Sequence, residues 1–120
     1  MIVEQKRDVD LKKARRKIKE LHERGEGNLA RFLQDSDSEE YDAILTALNT
    51  YEFVSCGIRS KAFSEEIYKR LRYSTVLRDW KAFEGFVIEF RKQKNSDSFF
   101  QEFEWLYERW KKSPVKIHPK

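Results

Sequence analysis

Residues 41–58 read YDAILTALNTYEFVSCGI, and this stretch decides the fold. Apolar side chains recur in it at spacings of three and four residues. They cover one broad face formed by Tyr41, Ile44, Leu45, Leu48, Tyr51 and Val54, widened by Phe53 and Ile58. A helix that is apolar over so much of its surface is typically buried among other elements. The stretch therefore predicts a central helix, capped by Ser38 or Asp37 ahead of two glutamates.

Two small residues stand near the end of this stretch. Cys56 is the only cysteine of the chain, which excludes an internal disulfide. Its apolar neighbours predict a small buried side chain. Gly57 either ends the helix or allows a neighbouring helix to approach closely.

A narrower stripe precedes the central helix. It predicts a helix from about Asp8 to Glu23, with the apolar side chains Leu11, Ala14, Ile18 and Leu21 on one face. Gly25 and Gly27 are expected to end it, and a short helix is expected over residues 28–33. Two heptads are too short for a stable isolated coiled coil, so the stripe must pack on the core, on a second copy or on a partner.

Aromatic stripes follow the central helix. Ser64 is expected to cap a fourth helix with Ile67 and Leu71 on its apolar side. The tripeptide YST at residues 73–75 then predicts the cap of a separate fifth helix. Large side chains mark that helix at spacings of three and four: Val76, Trp80, Phe83, Val87 and Phe90.

The end of the chain predicts one more helix. Residues 95–98, NSDS, are expected to end the fifth helix and to cap the last one. The stripe of this last helix contains Phe99, Phe103, Leu106 and Trp110, with Phe100 and Tyr107 beside it. Gly85 lies inside the fifth helix and costs about 1 kcal/mol in helix propensity, which suggests a packing reason for it.

The chain has 120 residues, of which four are glycine and two are proline, and no segment alternates polar and apolar residues. This composition favours an all-α fold, a compact bundle of about five to six helices without a sheet. We expect a basic amphipathic helix over residues 1–27, a helical core domain over residues 28–112 and a flexible basic tail over residues 113–120.

Charge is distributed unevenly along the chain, whose formal net charge is +4. Residues 1–25 hold nine cations and five carboxylates. Residues 26–60 hold two cations and seven carboxylates, and residues 61–120 hold fourteen cations and nine carboxylates. A second basic group follows the acidic segment and is expected to pair with it: Lys69, Arg70, Arg72, Arg78 and Lys81.

Four patches of the sequence carry a family resemblance. They read LNTYEFVSCGIR at 48–59, FSEE at 63–66, VLRDWKAFE at 76–84 and FEWLYERW at 103–110. Together they resemble DUF4760, a bacterial and phage helical family of unknown function, over about residues 38–110. The resemblance implies a helical fold and no assigned chemistry. Many members have an amino-terminal transmembrane helix that leads into a charged stalk, and this sequence begins in a segment that resembles the stalk.

The candidate contact residues are six cations of the first helix and one tryptophan. The cations are Lys12, Lys13, Arg15, Arg16, Lys17 and Lys19. They form either a solvated helix face or a surface for the phosphates of nucleic acid or for an acidic protein. Trp105 lies off the stripe of the last helix, and Trp is frequent among interface hot spots, so it is a further contact candidate.

No residue pattern indicates catalysis, so we expect no enzyme, no catalytic residues, no metal site and no cofactor. His22 and His118 have no partners at metal-ligand spacing, and the known nucleophile and phosphate-binding motifs are missing from the sequence. No run of about 18 apolar residues exists, and no signal peptide is seen. We therefore expect a cytoplasmic protein without a membrane span.

These observations favour a non-catalytic protein-interaction domain. Its partner would be another protein or a second copy, which would bind through the first helix or through the side that carries Trp105. The small size and the family resemblance suggest a phage or mobile-element protein that binds or inhibits a bacterial host defence protein. The alternative is a nucleic-acid-binding protein that acts through the basic first helix.

Overall fold

The computed structural model describes residues 2–23 and 29–114, except for the side chains of residues 2–8, 10, 11 and 22. In chain order, its elements are α1 (Ile2–Glu23), a 3-10 helix (Leu29–Gln34), α2 (Glu39–Arg59), α3 (Glu65–Lys94) and α4 (Gln101–Lys112). These described residues form no strand. The prediction of an all-α bundle of five to six helices is therefore confirmed.

Three predictions fall outside the described part of the chain. They are the end of the first helix at Gly25 and Gly27, the place of the Leu11 side chain in its stripe, and the tail beyond residue 114.

The central position of α2 is confirmed. Its buried apolar side chains are Ile44, Ala47, Leu48, Tyr51 and Ile58. Ser38 is the N-cap, as predicted, and its hydroxyl accepts a hydrogen bond from the backbone N–H of Tyr41 at 3.0 Å. Carboxylates of the first turn lie near the positive end of the helix dipole, which stabilises this start.

The solvent side of α2 contains two residues that were expected to be buried. Cys56 is exposed, and Phe53 is 40% exposed although its ring lies 5.7 Å from that of Phe63. Asp42 and Asn49 are also exposed, and these four residues follow one another at spacings of seven, four and three. These spacings place the four residues on one face of the helix. The exposure of Cys56 therefore follows from its position on that face and not from the apolar residues next to it in the sequence.

α3 is one continuous helix of 30 residues, so the predicted break at residues 73–75 is wrong. The ring of Tyr73 lies 6.2 Å from that of Trp110, and Val76 is buried one turn before Trp80. A break in the helix at residues 73–75 would prevent Tyr73 and Val76 from packing on the core at the same time. A serine and a threonine inside a helix cost only about 0.5 kcal/mol each relative to alanine, whereas burial of a large apolar side chain contributes about 1.5–3 kcal/mol.

Ile67 and Leu71 are not on the buried side of α3, in contrast to the prediction. They are 61% and 67% exposed. Nine residues correspond to two and a half helical turns, so Ile67 lies opposite the buried Val76. The long apolar stripe over residues 76–90 determines which side of α3 is buried.

The end of α3 and the start of α4 differ in how they are capped. Asn95 ends α3 in the left-handed conformation, with φ of 53°, as the sequence predicted. Phe100 precedes α4 with φ of 61° and provides no side-chain cap, so the predicted cap by residues 95–98 is wrong.

A glutamate from another helix caps α4 instead. The carboxylate of Glu52 on α2 accepts hydrogen bonds from the backbone N–H groups of Phe103 at 2.8 Å and Glu102 at 3.3 Å. Burial raises the pKa of Glu52, although these two hydrogen bonds act to lower the pKa. Because the partners are about 50 residues apart, this cap joins α4 to α2.

The predicted stripe of α4 is confirmed except at its first position. Phe103, Leu106 and Trp110 are buried, but Phe99 is 38% exposed. Phe100 takes the buried position instead, because its left-handed backbone changes the direction of the chain before α4 begins. The ring of Phe99 still contacts that of Phe90, at 5.1 Å.

α1 packs on α2. Its side chains Ala14, Ile18 and Leu21 are buried in the same hydrophobic core as those of α2, α3 and α4. Within the described residues, the stripe of α1 is therefore covered by the chain's own core. The domain limits at residues 27 and 112 stay a prediction.

The two glycines of the long helices have different surroundings. A Cβ atom on Gly57 would lie 2.1 Å from Cδ2 of Phe63, so this glycine permits the close approach of the chain that follows α2. A Cβ atom on Gly85 would meet nothing within 4 Å, so the packing reason expected for Gly85 is wrong.

The same substitution at these glycines should have opposite effects. Gly85→Ala should raise the free energy of unfolding by about 0.5–1 kcal/mol through helix propensity. Gly57→Ala should lower it by about 1–2 kcal/mol, because overpacking costs about 1–3 kcal/mol and exceeds the gain in propensity. Urea denaturation of both variants measures the difference. A Gly57→Ala variant at least as stable as the wild type would contradict the close contact with Phe63.

Candidate functional site

A groove of about 950 Å³ lies between α1 and α3. It exists because α1 packs on α2, whereas α3 packs mainly on the 3-10 helix and α4. Among the described residues, no Cα atom of α1 comes within 8 Å of a Cα atom of α3. The lining residues are Lys12, Arg15, Arg16, Ile18, Lys19 and Glu23 of α1, and Arg78, Asp79, Ala82 and Phe83 of α3.

Asp79 joins three helices at this groove. Its Oδ2 accepts a hydrogen bond of 2.5 Å from the hydroxyl of Tyr51 on α2 and lies 3.3 Å from Nε of Arg15 on α1. Its Oδ1 lies 3.5 Å from Nε of Arg78. The Asp79 side chain is only 13% exposed. Its carboxylate therefore holds α1, α2 and α3 together.

Tyr51 is the buried donor of this network. It is 1% exposed, and its ring stacks on that of Phe103 with 4.5 Å between centroids. Burial raises the pKa of Tyr51, and the charge of Asp79 raises this pKa further. The hydroxyl therefore keeps its proton and remains a hydrogen-bond donor to Asp79 at neutral pH.

The walls of the groove are basic and its floor is apolar. Among the described residues, five cations line it, against the carboxylates Glu23 and Asp79, so these residues have a formal net charge of +3. Ile18 and Phe83 are nearly fully buried, and they provide the apolar part together with Ala82. Arg15 and Arg78 already contact Asp79, so within the described lining Lys12, Arg16 and Lys19 are the cations left to attract an anionic group.

The structure separates the six predicted cations of α1. Lys12, Arg15, Arg16 and Lys19 line the groove. Lys17 turns to the start of α2, where its Nζ lies 3.6 Å from Glu39 and 3.8 Å from Glu40. Lys13 is exposed and is not among the lining residues.

The described residues do not show the pairing that was expected between the second basic group and the acidic segment. Arg70 pairs with Glu66 at 2.8 Å and Arg78 with Asp79, both within α3, and the acidic residues at the start of α2 pair with α1 instead. Arg78 and Asp79 were not predicted as groove residues. Only the neighbourhood of α1 and α3 in space identifies them, and no sequence spacing shows it.

Trp105 lies away from the groove. It is partly buried against the core, and the guanidinium carbons of Arg59 and Arg109 lie 5.1 and 5.6 Å from the centre of its ring. Arg59 is held by Glu102 at 2.8 Å, and Arg109 is held by Glu65. The ring is therefore partly covered by side chains of this same chain.

Glu65 has a structural role at the start of α3. It accepts two hydrogen bonds from Arg109, at 2.7 and 3.0 Å, and one from Nε1 of Trp110 at 2.9 Å. The hydrogen bonds from Arg109 lower the pKa of Glu65. This carboxylate therefore joins the first turn of α3 to the last turns of α4.

The described residues contain no group of three or more His, Cys, Asp or Glu side chains that could hold a metal ion. No helix among them has the length and apolar character that crossing a membrane requires.

Comparison with known proteins gives one match. The family model described as a domain of unknown function, DUF4760, matches residues 1–110, which include α1 as well as the segment that resembled this family. No curated protein and no solved structure matches the chain. Since the matched segment covers nearly all of the sequence, the chain belongs to the DUF4760 family.

Proposed function

We propose that this protein is a non-catalytic binding module that docks an acidic segment of another protein in the groove between α1 and α3. The observation that carries this proposal is that, among the described residues of the groove lining, five cations outnumber two carboxylates. Complementary charge steers a partner and selects it. The carboxylates of Glu52 and Asp79 have structural partners, which supports a role without catalysis.

A protein partner fits this lining better than a nucleic acid does. Among the described residues of the lining, Phe83 is the one aromatic side chain, and it is 1% exposed, so a base could not stack on it. Nucleic-acid binding is the second candidate, because Lys12, Arg16 and Lys19 follow one another at spacings of four and three and form a row along one helix face.

Further parts of the proposal rest on the sequence. We propose a cytoplasmic location, since the single cysteine suits a reducing compartment. A phage or mobile element as the source, and a bacterial host defence protein as the partner, are suggested by the small size and the family resemblance. A second copy of the chain is the other protein that this groove would accept.

Charge reversal in the groove should abolish most of the binding of an acidic peptide. The probe is a fluorescein-labelled 20-residue glutamate-rich peptide, measured by fluorescence anisotropy at about 50 mM salt, where screening is weak. The double variant Lys12→Glu/Arg16→Glu should bind it at least about tenfold more weakly than the wild type. The control Lys13→Glu/Lys112→Glu has the same net charge but leaves the groove intact, and it should stay within about twofold.

Each other outcome has a clear meaning. An equal loss in both variants would show that net charge attracts the peptide rather than the groove, and no binding by the wild type would overturn the proposal. A 20-base-pair DNA duplex serves as the competing probe. Tighter binding of this duplex, with a steep salt dependence and a loss in the groove variant, would favour the nucleic-acid candidate.

A further inference from the structure

We propose that the occupant of the groove is an acidic amphipathic helix, which also covers an exposed apolar pair on α3. This inference rests on the proposed function and specifies the partner's chemistry. It commits to a helix with carboxylates on one side and apolar side chains on the other. Four observations support it: the apolar pair, its alignment with the groove, the charge of the walls and the lack of a strand edge.

The apolar pair consists of Ile67 and Leu71. Both are large side chains on a regular part of α3, and more than half of each is exposed to solvent. They are one helical turn apart, so they form one continuous ridge. Exposed apolar side chains that occur singly need no explanation, but an adjacent pair on a rigid helix can anchor a partner.

The ridge is aligned with the groove. Arg78 follows Leu71 by seven residues, and Ala82 follows Arg78 by four. Because these are helical spacings, the two residues lie on the same face of α3 as Ile67 and Leu71. Arg78 and Ala82 line the groove. The same face thus runs from the ridge into the groove over about 22 Å, at about 1.5 Å per residue.

This face is also open. Gly85 continues the same line, three residues after Ala82, and a Cβ atom placed on it would meet nothing within 4 Å. A partner helix of about 15 residues has the length to lie along it. Its apolar side, with a repeat of three and four residues, would cover Ile67, Leu71 and Ala82.

The charges of the groove suit the polar side of such a helix. Lys12, Arg16 and Lys19 line the α1 wall, and Arg78 lines the α3 wall. With its apolar side on the α3 face, a partner helix would present its carboxylates to the cations of the α1 wall. Leu71 and Ile67 lie beyond the groove lining, so apolar contacts would concentrate at that end of the partner.

An extended peptide would fit this surface poorly. Its backbone N–H and C=O groups need hydrogen-bond partners, which a sheet edge usually provides. The described part of this chain contains no strand and thus no such edge. A helix satisfies its own backbone groups and presents only side chains to the groove.

Designed peptides test this inference. The first probe is a labelled 18-residue peptide of Leu, Glu and Ala, with Leu at positions i, i+3, i+4 and i+7 of successive turns. The second has the same composition in an order without a helical stripe, and the third is the glutamate-rich peptide used above. The amphipathic peptide should bind about tenfold more tightly than the other two in anisotropy titrations. Its circular dichroism should show a gain of helix on binding.

Matched substitutions locate the apolar contact. Leu71→Ser should weaken binding of the amphipathic peptide by about five- to tenfold. Ile88→Ser is the control, because Ile88 is an exposed apolar residue of the same helix that lies beyond residues 67–82, the stretch that the partner would cover, and it should change binding by less than about twofold. Both positions are exposed, so both variants should fold.

The outcomes separate this inference from the proposed function. Equal binding of the amphipathic and reordered peptides, or an unchanged affinity in Leu71→Ser, would overturn the helical partner while the groove remains a site for acidic segments. Binding of none of the three peptides would overturn both proposals.

Discussion

Trp110→Ala should lower the free energy of unfolding by about 3–5 kcal/mol, the range typical of large aromatic truncations in a core. Trp110 is fully buried, and its ring lies 5.9 Å from that of Tyr68 and 6.2 Å from that of Tyr73. Domains of this size have a total stability of about 5–15 kcal/mol, so the variant would be close to unfolding. Thermal denaturation followed by circular dichroism should show a melting temperature lower by roughly 10–25 °C.

Trp110→Phe separates the two contributions of this side chain. It keeps an aromatic ring in the core but removes the Nε1–H that donates to Glu65 at 2.9 Å. Because Glu65 retains two hydrogen bonds from Arg109, the loss should be about 1–2 kcal/mol. Losses below about 1 kcal/mol in both variants would show that Trp110 is not the anchor between α4 and α3.

Asp79→Ala should lower the free energy of unfolding by about 2–4 kcal/mol. The substitution leaves the buried hydroxyl of Tyr51 without its acceptor, which costs about 1–3 kcal/mol, and it removes the ion pair with Arg15. Arg15 is partly exposed, and its guanidinium can be hydrated when the carboxylate is removed. The loss of this ion pair therefore costs less than the loss of the Tyr51 hydrogen bond. Equilibrium denaturation in urea measures the difference.

Asp79→Asn is the matched variant for this network. Its amide oxygen can still accept from Tyr51, so only about 1 kcal/mol should be lost. Urea denaturation of Asp79→Asn and Asp79→Ala compares the two losses. A loss in Asp79→Asn as large as that in Asp79→Ala would contradict the hydrogen bond from Tyr51.

Helical periodicity predicted most of the core correctly. The stripes at residues 76–90 and 103–110 and the broad face of α2 are buried because a 3.6-residue repeat brings their large side chains to one side. Ser38, Ser64 and Asn95 act at helix ends as expected, since their capping depends on the backbone next to them.

Local signals were misleading where long-range contacts decided the outcome. Ser74 and Thr75 carry a capping signal, but contacts made by Tyr73 and Val76 on both sides keep α3 continuous. The start of α4 shows the reverse. No neighbouring side chain caps it, and Glu52 of α2 does so from a distant part of the sequence.

The candidate site was predictable only in part. Four of the six cations chosen on α1 line the groove, because a cationic face of a helix can be recognised from its sequence. The opposite wall, with Arg78 and Asp79, could not be inferred, since it depends on which helices leave a space between them. Trp105 was chosen for lying off the stripe, but two arginines cover part of its ring.

The sequence by itself determined that this protein is helical, which faces of its helices are buried and where its positive charge concentrates. The tertiary structure alone decided that α1 packs on α2 and α3 on α4, that Asp79 joins three helices, and that a basic groove remains between α1 and α3. The physical reason is the sequence distance over which each effect acts. Periodicity and capping act over a few residues, whereas a groove depends on side chains from segments about 60 residues apart.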